Sequence, residues 1–202
     1  MLEVRGLSRW FGELRVLSTV DLHVAAGTAT AVVGPNGSGK TTLLRCVAGL
    51  DRPDEGEVRL DGRPVDETDP RVRAAVAGVL DDVDFFPDLS VVEHLELLAF
   101  AHGAPDPATV AEVLDALGLT PARDQLPATL SSGQRRRLAL ASCFVRPRRL
   151  LLLDEPEQRL DTAGRTWLAE RLNAEKAAGR AVLLASHDPL LVDTVADHTL
   201  TL

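Results

Sequence analysis

The sequence predicts an α/β protein whose mostly parallel sheet is built from both ends of the chain. Leu150–Leu153 and Ala181–Ala185 are apolar throughout, and strands that are apolar on both faces suit a parallel sheet covered by helices. The segment Thr162–Ala178 between them has the length of a helix and is followed by glycine. Residues 83–140 carry apolar side chains mainly at helical spacing, which predicts a mostly helical insert.

Composition is that of an ordinary globular protein. The 202 residues are 45% hydrophobic and 26% charged, which suits one domain with a full core and argues against disorder. With 30 acidic and 22 basic side chains the net charge is -8, which argues against binding of nucleic acid or anionic lipid through the whole surface. We therefore expect no nucleic acid partner. A nucleotide pocket stays compatible with this charge, because one lysine and a few backbone N–H groups can bind phosphates.

Cysteine usage and hydropathy indicate a reducing compartment. Cys46 and Cys143 lie in segments with helical spacing, and we expect two buried thiols rather than a disulfide or a metal pair. No run approaches the roughly 18–20 apolar residues that span a bilayer. The charged start Met1–Arg5 lacks the apolar core of a signal peptide. The chain is therefore expected to be cytoplasmic unless a partner holds it at a membrane.

The remaining elements alternate along the chain. Runs bounded by glycine, proline and aspartate predict strands at Leu2–Leu7, Val20–Val24, Thr28–Val33, Val58–Leu60 and Ala74–Leu80. Helical spacing predicts helices at Lys40–Gly49, Val91–Ala101, Asp106–Leu117 and Gln134–Val145. Two of the turns between these elements carry motifs that point to chemistry.

The turn after the predicted strand Thr28–Val33 carries a phosphate-binding motif. It consists of Gly34, Pro35, Asn36, Gly37, Ser38, Gly39, Lys40, Thr41 and Thr42, and it matches G-x-x-x-x-G-K-[ST] between a strand and a helix. Glycines let successive N–H groups point inward, and the helix N-terminus adds positive potential. Lys40 would reach the β- and γ-phosphates, and Thr41 would offer its hydroxyl to Mg²⁺. The structural alternative is a glycine-rich turn with an exposed lysine.

A second candidate site follows the apolar strand Leu150–Leu153, where Asp154 and Glu155 are adjacent. Ligands of open α/β sheets bind at the carboxyl edge, which is also the edge that carries the glycine-rich turn. Successive strand residues face opposite ways, so the two carboxylates would differ in role. One would support Mg²⁺ through its water shell, and the other would polarise the attacking water. A buried strand that merely ends in surface acids would have the same pattern.

A serine- and glycine-containing segment distinguishes this chain from other phosphate-binding proteins. The segment consists of Leu130, Ser131, Ser132, Gly133 and Gln134, and Ser131 stands 24 residues before Glu155. With it the chain resembles the nucleotide-binding subunit of the ATP-binding cassette (ABC) transporter family, whose signature is Leu-Ser-Gly-Gly-Gln. The resemblance spans nearly the whole length. Ser131 and Ser132 are also good N-cap residues for the following helix, and both interpretations can hold because a helix N-terminus suits an incoming phosphate.

The resemblance implies a fold and a domain organisation. The fold would be a P-loop NTPase core with a mostly parallel sheet, an N-terminal antiparallel β portion and a helical insert, as in ABC ATPases. One ABC ATPase domain would span residues 1–202. Its core would comprise residues 1–82 and 141–202, and its helical signature subdomain would comprise residues 83–140.

The same resemblance implies ATP and Mg²⁺ as ligands and assigns catalytic residues. Lys40 would offset charge on the transferring phosphoryl group, and Glu155 would orient and deprotonate water. His187, at the end of the strand Ala181–Ala185, would hold Glu155 and the γ-phosphate in line. Thr41 and Asp154 would hold the Mg²⁺ ion.

Further resemblances concern the base and the partner subunit. Phe11 resembles the aromatic that stacks on adenine, with Trp10 as the neighbouring candidate, although a phenylalanine near an N-terminus is more often part of a core. Leu160–Asp161 resembles the loop that touches the opposite subunit. In the family two subunits face each other head to tail, so the P-loop of one would present ATP to Ser131–Gln134 of the other. The partner would be a second copy or a homologous ATPase subunit.

The chain departs from the family pattern in the loop at Asp81–Asp82 and at Ser132. After the predicted strand Ala74–Leu80 the family usually has a glutamine that contacts Mg²⁺, and here Asp81 or Asp82 would replace it, depending on the register. A carboxylate is also a hard oxygen ligand, so altered metal dependence or slower turnover is one interpretation and an ordinary acidic loop is the other. Ser132 replaces the first glycine of the signature, and this replacement is expected to affect the rate of turnover more than the binding of ATP. The basic run Arg135–Arg137, which begins the signature helix, is interpreted as a solvated helix face, with a docking patch as the alternative.

Transport would need a separately encoded transmembrane permease, at the inner face of the cell membrane. In the family the insert grips short helices of that partner, and the segment Asp82–Leu89, with Phe85 and Phe86, is the candidate wall unless these rings seal the insert's own core. An exporter is expected, because the chain ends 15 residues after His187 and leaves no room for the regulatory domain common in importers. The alternatives are a soluble ABC ATPase acting on ribosomes or DNA and a weakly hydrolysing regulatory module.

Overall fold

A computed structural model describes residues 1–80, 83–104 and 106–202. In these residues the strands are β1 (Leu2–Phe11), β2 (Leu14–Val24), β3 (Ala29–Val33), β4 (Glu55–Leu60), β5 (Arg63–Pro64), β6 (Val76–Val79), β7 (Leu150–Asp154), β8 (Ala181–Ala185) and β9 (His198–Thr201). The helices are α1 (Lys40–Ala48), α2 (Pro70–Ala75), α3 (Val91–Ala101), α4 (Pro107–Ala116), α5 (Ser132–Phe144), α6 (Thr162–Ala177) and α7 (Pro189–Val195). No helix in this described part of the chain is long and apolar enough to cross a membrane.

Five strands form a parallel sheet in the order β6-β7-β8-β3-β9. Leu150 on β7 pairs with Val76 on one side and with Ala181 on the other. The predicted apolar strands β7 and β8 are thus central and flanked on both sides, which confirms the α/β prediction. Because the strands are parallel, β3, β7 and β8 all end at one edge, and the turns after them carry the candidate site residues.

The side chains of β7 alternate between two hydrophobic cores. Leu150 and Leu152 pack with α1 and with strands β1 and β2, while Leu151 and Leu153 pack with α5, α6 and the insert. All four leucines are fully buried, and each contributes on the order of 2 kcal/mol by leaving water. Burial on both faces explains why the strand is apolar at every position.

The N-terminal strands form a second sheet, antiparallel, in the order β2-β1-β4-β5. Leu2 pairs with Val24 on one side and with Leu60 on the other. The predicted antiparallel portion is therefore confirmed. Both β1 and β2 are longer than predicted, because the pairing continues through register shifts into polar segments whose alternation is weak.

The insert consists mainly of α3, α4 and the first part of α5. A capping box starts α3, with Glu93 N donating to Ser90 Oγ and Ser90 N donating to Glu93 Oε2. Asp106 caps α4, which begins with Pro107. Helix α5 runs through position 140 and contacts α3, α4 and β6, so the insert and the core share one helix.

Further elements differ from the sequence prediction, among them α2, α7 and β9. The predicted strand at Ala74–Leu80 is wrong in its first two residues, because Asp69 caps a helix that starts at Pro70 and includes both alanines. Helix α7 was not predicted, although Asp188 caps it through Leu190 N. Strand β9 was also missed, and it adds a short edge to the parallel sheet beside β3.

Candidate active site

The glycine-rich turn joins the end of β3 to the start of α1, as predicted. Gly34, Gly37 and Gly39 have positive φ, and a Cβ on Gly39 would lie 2.7 Å from Leu17 Cδ2. Only glycine therefore suits position 39 without moving the packed strand β2. No side chain of the described residues caps the first turn of α1, so its N–H groups are available to an anion.

Lys40 is buried at the start of α1. Its Nζ donates to Gly34 O at 2.9 Å and to Pro35 O at 3.0 Å. An ammonium has three donors, and the two contacts hold the charge against the turn beside the helix N-terminus. The predicted alternative of an exposed lysine is wrong, since the chain buries this charge among groups that would face a phosphate.

Asp154 ends β7, Glu155 follows it, and the two side chains make different contacts. Asp154 accepts a hydrogen bond from Thr41 Oγ1 on α1. Glu155 Oε1 lies 3.4 Å from His187 Nδ1, and Glu155 Oε2 accepts from Gln158 Nε2. The two carboxylates are thus directed to different partners. The predicted reason, alternation along a strand, does not apply to Glu155, because it follows the strand and has a φ of +44°.

Thr41 and Asp154 form the oxygen pair to which the sequence assigns Mg²⁺. A hydroxyl and a carboxylate are hard oxygen donors of the kind that Mg²⁺ takes in phosphate sites. They lie side by side at the mouth of the glycine-rich turn. The residues present therefore fit this ion.

A cavity of about 560 Å³ lies between the glycine-rich turn and the end of β7. Its volume is in the range of small-molecule sites. It is lined by Val16, Asn36, Gly37, Gly39, Lys40, Thr41, Thr42, Leu80, Arg136, Asp154, Glu155, Gln158 and Arg159. The fold thus brings the two predicted motifs to one cavity, although about 110 residues separate them in the chain.

Arg136 is a site residue that the sequence interpretation missed. Its Nη2 donates to Asp154 O at 2.6 Å and to Glu155 O at 2.7 Å. Burial lowers the pKa of Arg136 below its ordinary value, and the charges of Glu157 and Asp154 offset only part of this effect. For Arg136 the interpretation as a solvated helix face is therefore wrong. Arg135, its exposed neighbour on α5, fits that interpretation.

The segment Ser131–Gln134 forms the start of α5, as its N-cap residues predict. Ser131 Oγ accepts from Gln134 N at 3.2 Å, and Ser131 N donates to Gln134 Oε1 at 2.9 Å. Ser131 and Ser132 are exposed, and none of the four residues belongs to the cavity lining among the described residues. The exposure of the two serines leaves them accessible to another molecule, and the segment lies apart from the cavity beside the P-loop of its own chain.

Asp161 and Phe11 lie outside the cavity as well. Asp161 caps α6 through Gly164 N and pairs with Arg137 Nη2 at 2.7 Å. The hydrogen bond from Gly164 and then that from Arg137 lower the pKa of Asp161. Phe11 ends β1 with its ring 50% exposed and 4.8 Å from the guanidinium of Arg9, so the alternative of a core residue is wrong.

Two candidate metal residues, Asp81 and Asp82, lie outside the described residues. Leu80, the residue before them, lines the cavity. The candidate wall of the insert is described from Val83 onward. There Phe85 and Phe86 pack on the buried ring of His94, with centroids 5.3 and 5.6 Å away.

Comparison with known proteins gives relatives along nearly the whole chain. The aliphatic sulfonates import ATP-binding protein SsuB of Pseudomonas putida is 38% identical over 98% of this chain and 72% of its own length. The lipoprotein-releasing system ATP-binding protein LolD 1 of Rhodopirellula baltica is 37% identical over 96% of this chain and 90% of its own length. The spermidine/putrescine import ATP-binding protein PotA of Pseudomonas aeruginosa is 37% identical over 93% of this chain. The chain spans about half the length of that protein and of several other relatives.

Solved structures agree with the same relationship. The structure of an ATP-binding subunit of an ABC transporter matches with a TM-score of 0.92 at 28% identity, over 100% of this chain and 85% of that chain. A dimeric bacterial ABC transporter cassette matches with a TM-score of 0.87 at 25% identity, over 100% of this chain and 94% of that chain. The sequence pattern described as ABC transporter matches residues 17–158. The chain therefore belongs to the ABC transporter family and has the fold of its ATP-binding cassettes.

Proposed function

We propose that this chain binds and hydrolyses ATP as the ATP-binding subunit of an ABC transporter. The observation that carries the proposal is the cavity in which the glycine-rich turn and Lys40 face the carboxylates of Asp154 and Glu155. One side offers N–H groups and an ammonium to phosphates, and the other offers an oxygen ligand and a base. Family membership supports ATP as the ligand.

Nucleotide would bind with its phosphates in the turn 34–39. The N–H groups at the start of α1 would surround the β-phosphate, and Lys40 would move its Nζ from the carbonyls of the turn to the β- and γ-phosphate oxygens. Phe11 offers an exposed ring for the adenine, because stacking needs only an accessible aromatic face.

Thr41 and Asp154 would hold Mg²⁺, the aspartate through the ion's water shell. When bound, the ion would offset negative charge on the β- and γ-phosphates. The hydrogen bond between the two side chains keeps these oxygens together in its absence.

Glu155 would act as general base in hydrolysis. Its carboxylate would take a proton from water while the water oxygen forms a bond to the γ-phosphorus. The bond from that phosphorus to the bridging oxygen of ADP breaks, and phosphate leaves. His187 contacts the same carboxylate and would keep it in line with the γ-phosphate.

A second subunit would complete the site. The exposed N-terminus of α5, with Ser131, Ser132 and Gly133, would meet the γ-phosphate bound to a partner, and Asp161 would lie in the loop at that interface. The partner would be a second copy or a homologous ATPase subunit. The dimeric cassette with the same fold supports this arrangement.

A transmembrane permease would couple hydrolysis to transport, with this chain in the cytoplasm at the inner face of the membrane. The names of the relatives as ATP-binding proteins of transport systems support this partner. Most of these names specify import and one specifies lipoprotein release. The expectation of an exporter thus gains no support from them, and we propose transport without a direction.

Two measurements test the proposal. Purified chain should release phosphate from ATP with Mg²⁺, and Lys40→Ala should abolish this release, whereas activity equal in both would reject the site. Isolation from cells in mild detergent should recover a multi-span membrane protein with the chain. Recovery of ribosomes in its place would favour the soluble ABC ATPase.

A further inference from the structure

Helix α5 contacts the segment that follows β7 at three successive points. A Cβ on Gly133 would lie 3.1 Å from Arg159 O, so the helix backbone packs directly on that segment. Arg136 Nη2 donates to the carbonyls of Asp154 and Glu155. One residue later, Arg137 Nη2 lies 2.7 Å from Asp161 Oδ1. The helix that begins with the signature is therefore attached to the segment that carries the candidate base.

The Arg136 contact is directed at the backbone carbonyls of two successive peptide units, one on each side of the Glu155 Cα. A single guanidinium nitrogen reaches Asp154 O at 2.6 Å and Glu155 O at 2.7 Å. The carboxylates themselves contact other side chains, that of Asp154 the hydroxyl of Thr41 and that of Glu155 the side chains of Gln158 and His187. Arg136 therefore sets where the turn lies and leaves the reacting side chains accessible.

The backbone of Glu155 needs contacts that fix its conformation, because its φ is +44°. A non-glycine residue in the left-handed region persists only when its surroundings fix it. On one side Glu155 N donates to Ala185 O of β8 at 2.8 Å. On the other side its carbonyl accepts from Gln158 N at 3.0 Å within the turn and from Arg136 Nη2 at 2.7 Å. The sheet thus fixes one half of this residue, and the turn together with helix α5 fixes the other half.

The two ends of this arrangement belong to different nucleotide sites in the proposed dimer. Ser131 at the exposed start of α5 would meet the partner's nucleotide, while Glu155 serves the nucleotide in its own P-loop. Arg136 lies between them, just over one helical turn after Ser131. A shift of α5 toward a γ-phosphate would be transmitted to the turn at Glu155 through the three contacts.

We propose that Arg136 is a positioning residue that couples the two nucleotide sites. When the start of α5 contacts the partner's ATP, Arg136 transmits the position of the helix to the turn that orients Glu155 of the same chain. The inference rests on the proposed function. It assigns to Arg136 an effect on the rate of hydrolysis and on cooperativity between sites, and no effect on nucleotide binding to the P-loop. A purely structural role would change the thermal midpoint and leave the cooperativity of the folded protein unchanged.

The test compares Arg136→Met, which keeps the length of the side chain and removes its donors, with Arg136→Lys, which restores a donor. Arg135→Met is the matched control, since Arg135 is the exposed neighbour on the same helix. The readouts are kcat, KM and the Hill coefficient for ATP, with affinity for a non-hydrolysed ATP analogue and the thermal midpoint measured on each variant.

Arg136→Met should lower kcat by about 10²-fold, the cost of misplacing a reacting group by roughly 1 Å. Its analogue affinity should stay within about 3-fold, and its Hill coefficient should fall from well above 1 in the unaltered chain to about 1. Arg136→Lys should recover at least about a tenth of the unaltered kcat, because one ammonium can still donate to both carbonyls. Arg135→Met should match the unaltered chain.

Three results would overturn the proposal. They are an unaltered chain that hydrolyses ATP with a Hill coefficient of 1, an Arg136→Met variant with near-normal kcat, and a loss of kcat that Arg136→Lys shares in full. If the Arg136→Met variant does not fold, the lysine variant and the Hill coefficient of the unaltered chain still decide. An unaltered chain that binds ATP without hydrolysing it would reject the proposed function instead.

Discussion

The two edges of the parallel sheet use acids and arginines in opposite ways. At the amino edge Glu175 near the end of α6 is 1% exposed, and Arg148, Arg171 and Arg180 all pair with it. Arg148 also donates to three carbonyls at the end of α5 and after it. At the carboxyl edge the corresponding acids are only half-buried and line an open cavity.

The amino edge thus stabilises the protein, and the carboxyl edge holds the residues to which we assign the chemistry. A buried carboxylate with three cationic partners has little freedom to react, and removing it leaves those charges uncompensated. Glu155, by contrast, has a positive φ and contacts that a ligand can displace. Strain of this kind collects at functional sites, at a cost in stability that the rest of the fold offsets.

Glu175→Ala should lower the free energy of unfolding by about 3–5 kcal/mol, because the buried Arg148 loses its counter-charge. Urea unfolding followed by circular dichroism measures this loss. The matched control is Glu3→Ala, which removes a surface pair with Arg5 at 2.7 Å and should cost less than about 1 kcal/mol. Equal losses in both variants would contradict the assignment of stability to the amino edge.

Glu155→Gln should lower the rate of ATP hydrolysis by about 10²–10³-fold, on the order of 3–4 kcal/mol, because the amide cannot take a proton from water. Its free energy of unfolding should stay within about 1 kcal/mol of the unaltered chain, as expected of a residue with few structural contacts. Single-turnover phosphate release measures the rate. Glu170→Gln, an exposed position on α6, serves as the control, and a rate near normal in Glu155→Gln would remove Glu155 from the chemistry.

Local patterns in the sequence predicted one edge better than the other. The carboxyl edge follows from the apolar strand β7 and from the glycine-rich turn, whose glycines and lysine are specific to phosphate binding. The amino edge is built by Arg148 before β7, by Arg180 after α6, and by Arg171 and Glu175 on α6 itself. The spacing of Arg171 and Glu175 is that of a helical pair, but nothing local marks Arg148 as a partner of Glu175, because only the packing of α6 against the end of α5 and the start of β7 brings the two together.

The run Arg135–Arg137 illustrates the same limit. Three identical residues on a helix point in directions about 100° apart, so one faces solvent, one faces the carbonyls after β7 and one faces Asp161. Which residue takes which direction depends on how α5 sits on the sheet, and the composition of the run cannot reveal it.

Phe11→Ala should raise KM for ATP by about tenfold and leave kcat nearly unchanged, because base–aromatic stacking contributes roughly 1–3 kcal/mol per base. Steady-state kinetics measures both values. Phe100→Ala, an equally large and more exposed ring on α3, should change neither. An unchanged KM in Phe11→Ala together with a raised KM in Trp10→Ala would move the adenine platform to Trp10.

The stabilising effect of Glu175 should depend on pH. Burial raises the pKa of Glu175, but the hydrogen bond and charge of Arg148 and the charges of Arg180 and Arg171 together bring it below the ordinary 4.5. A carboxyl with a lowered folded pKa stabilises the protein above its unfolded pKa, and this stability is lost as pH falls through the folded pKa. A pKa lower by one corresponds to about 1.4 kcal/mol.

Urea unfolding of the unaltered chain and of Glu175→Gln from pH 7 to pH 3 measures this effect. The difference in unfolding free energy between the two proteins should be constant near neutral pH and should narrow below about pH 4.5, where the carboxyl begins to protonate in the unfolded state. A difference that widens as the pH falls would contradict the assigned direction.

Sedimentation velocity of the Glu155→Gln chain tests most directly whether nucleotide is held between two subunits. With ATP and Mg²⁺ this variant should sediment as a dimer, and without nucleotide it should sediment as a monomer. Adding Ser131→Arg should leave ATP bound but return the protein to a monomer, because the exposed start of α5 would no longer accept the partner's γ-phosphate. A Glu155→Gln chain that stays monomeric while saturated with ATP, or a double variant that still dimerises, would contradict the account.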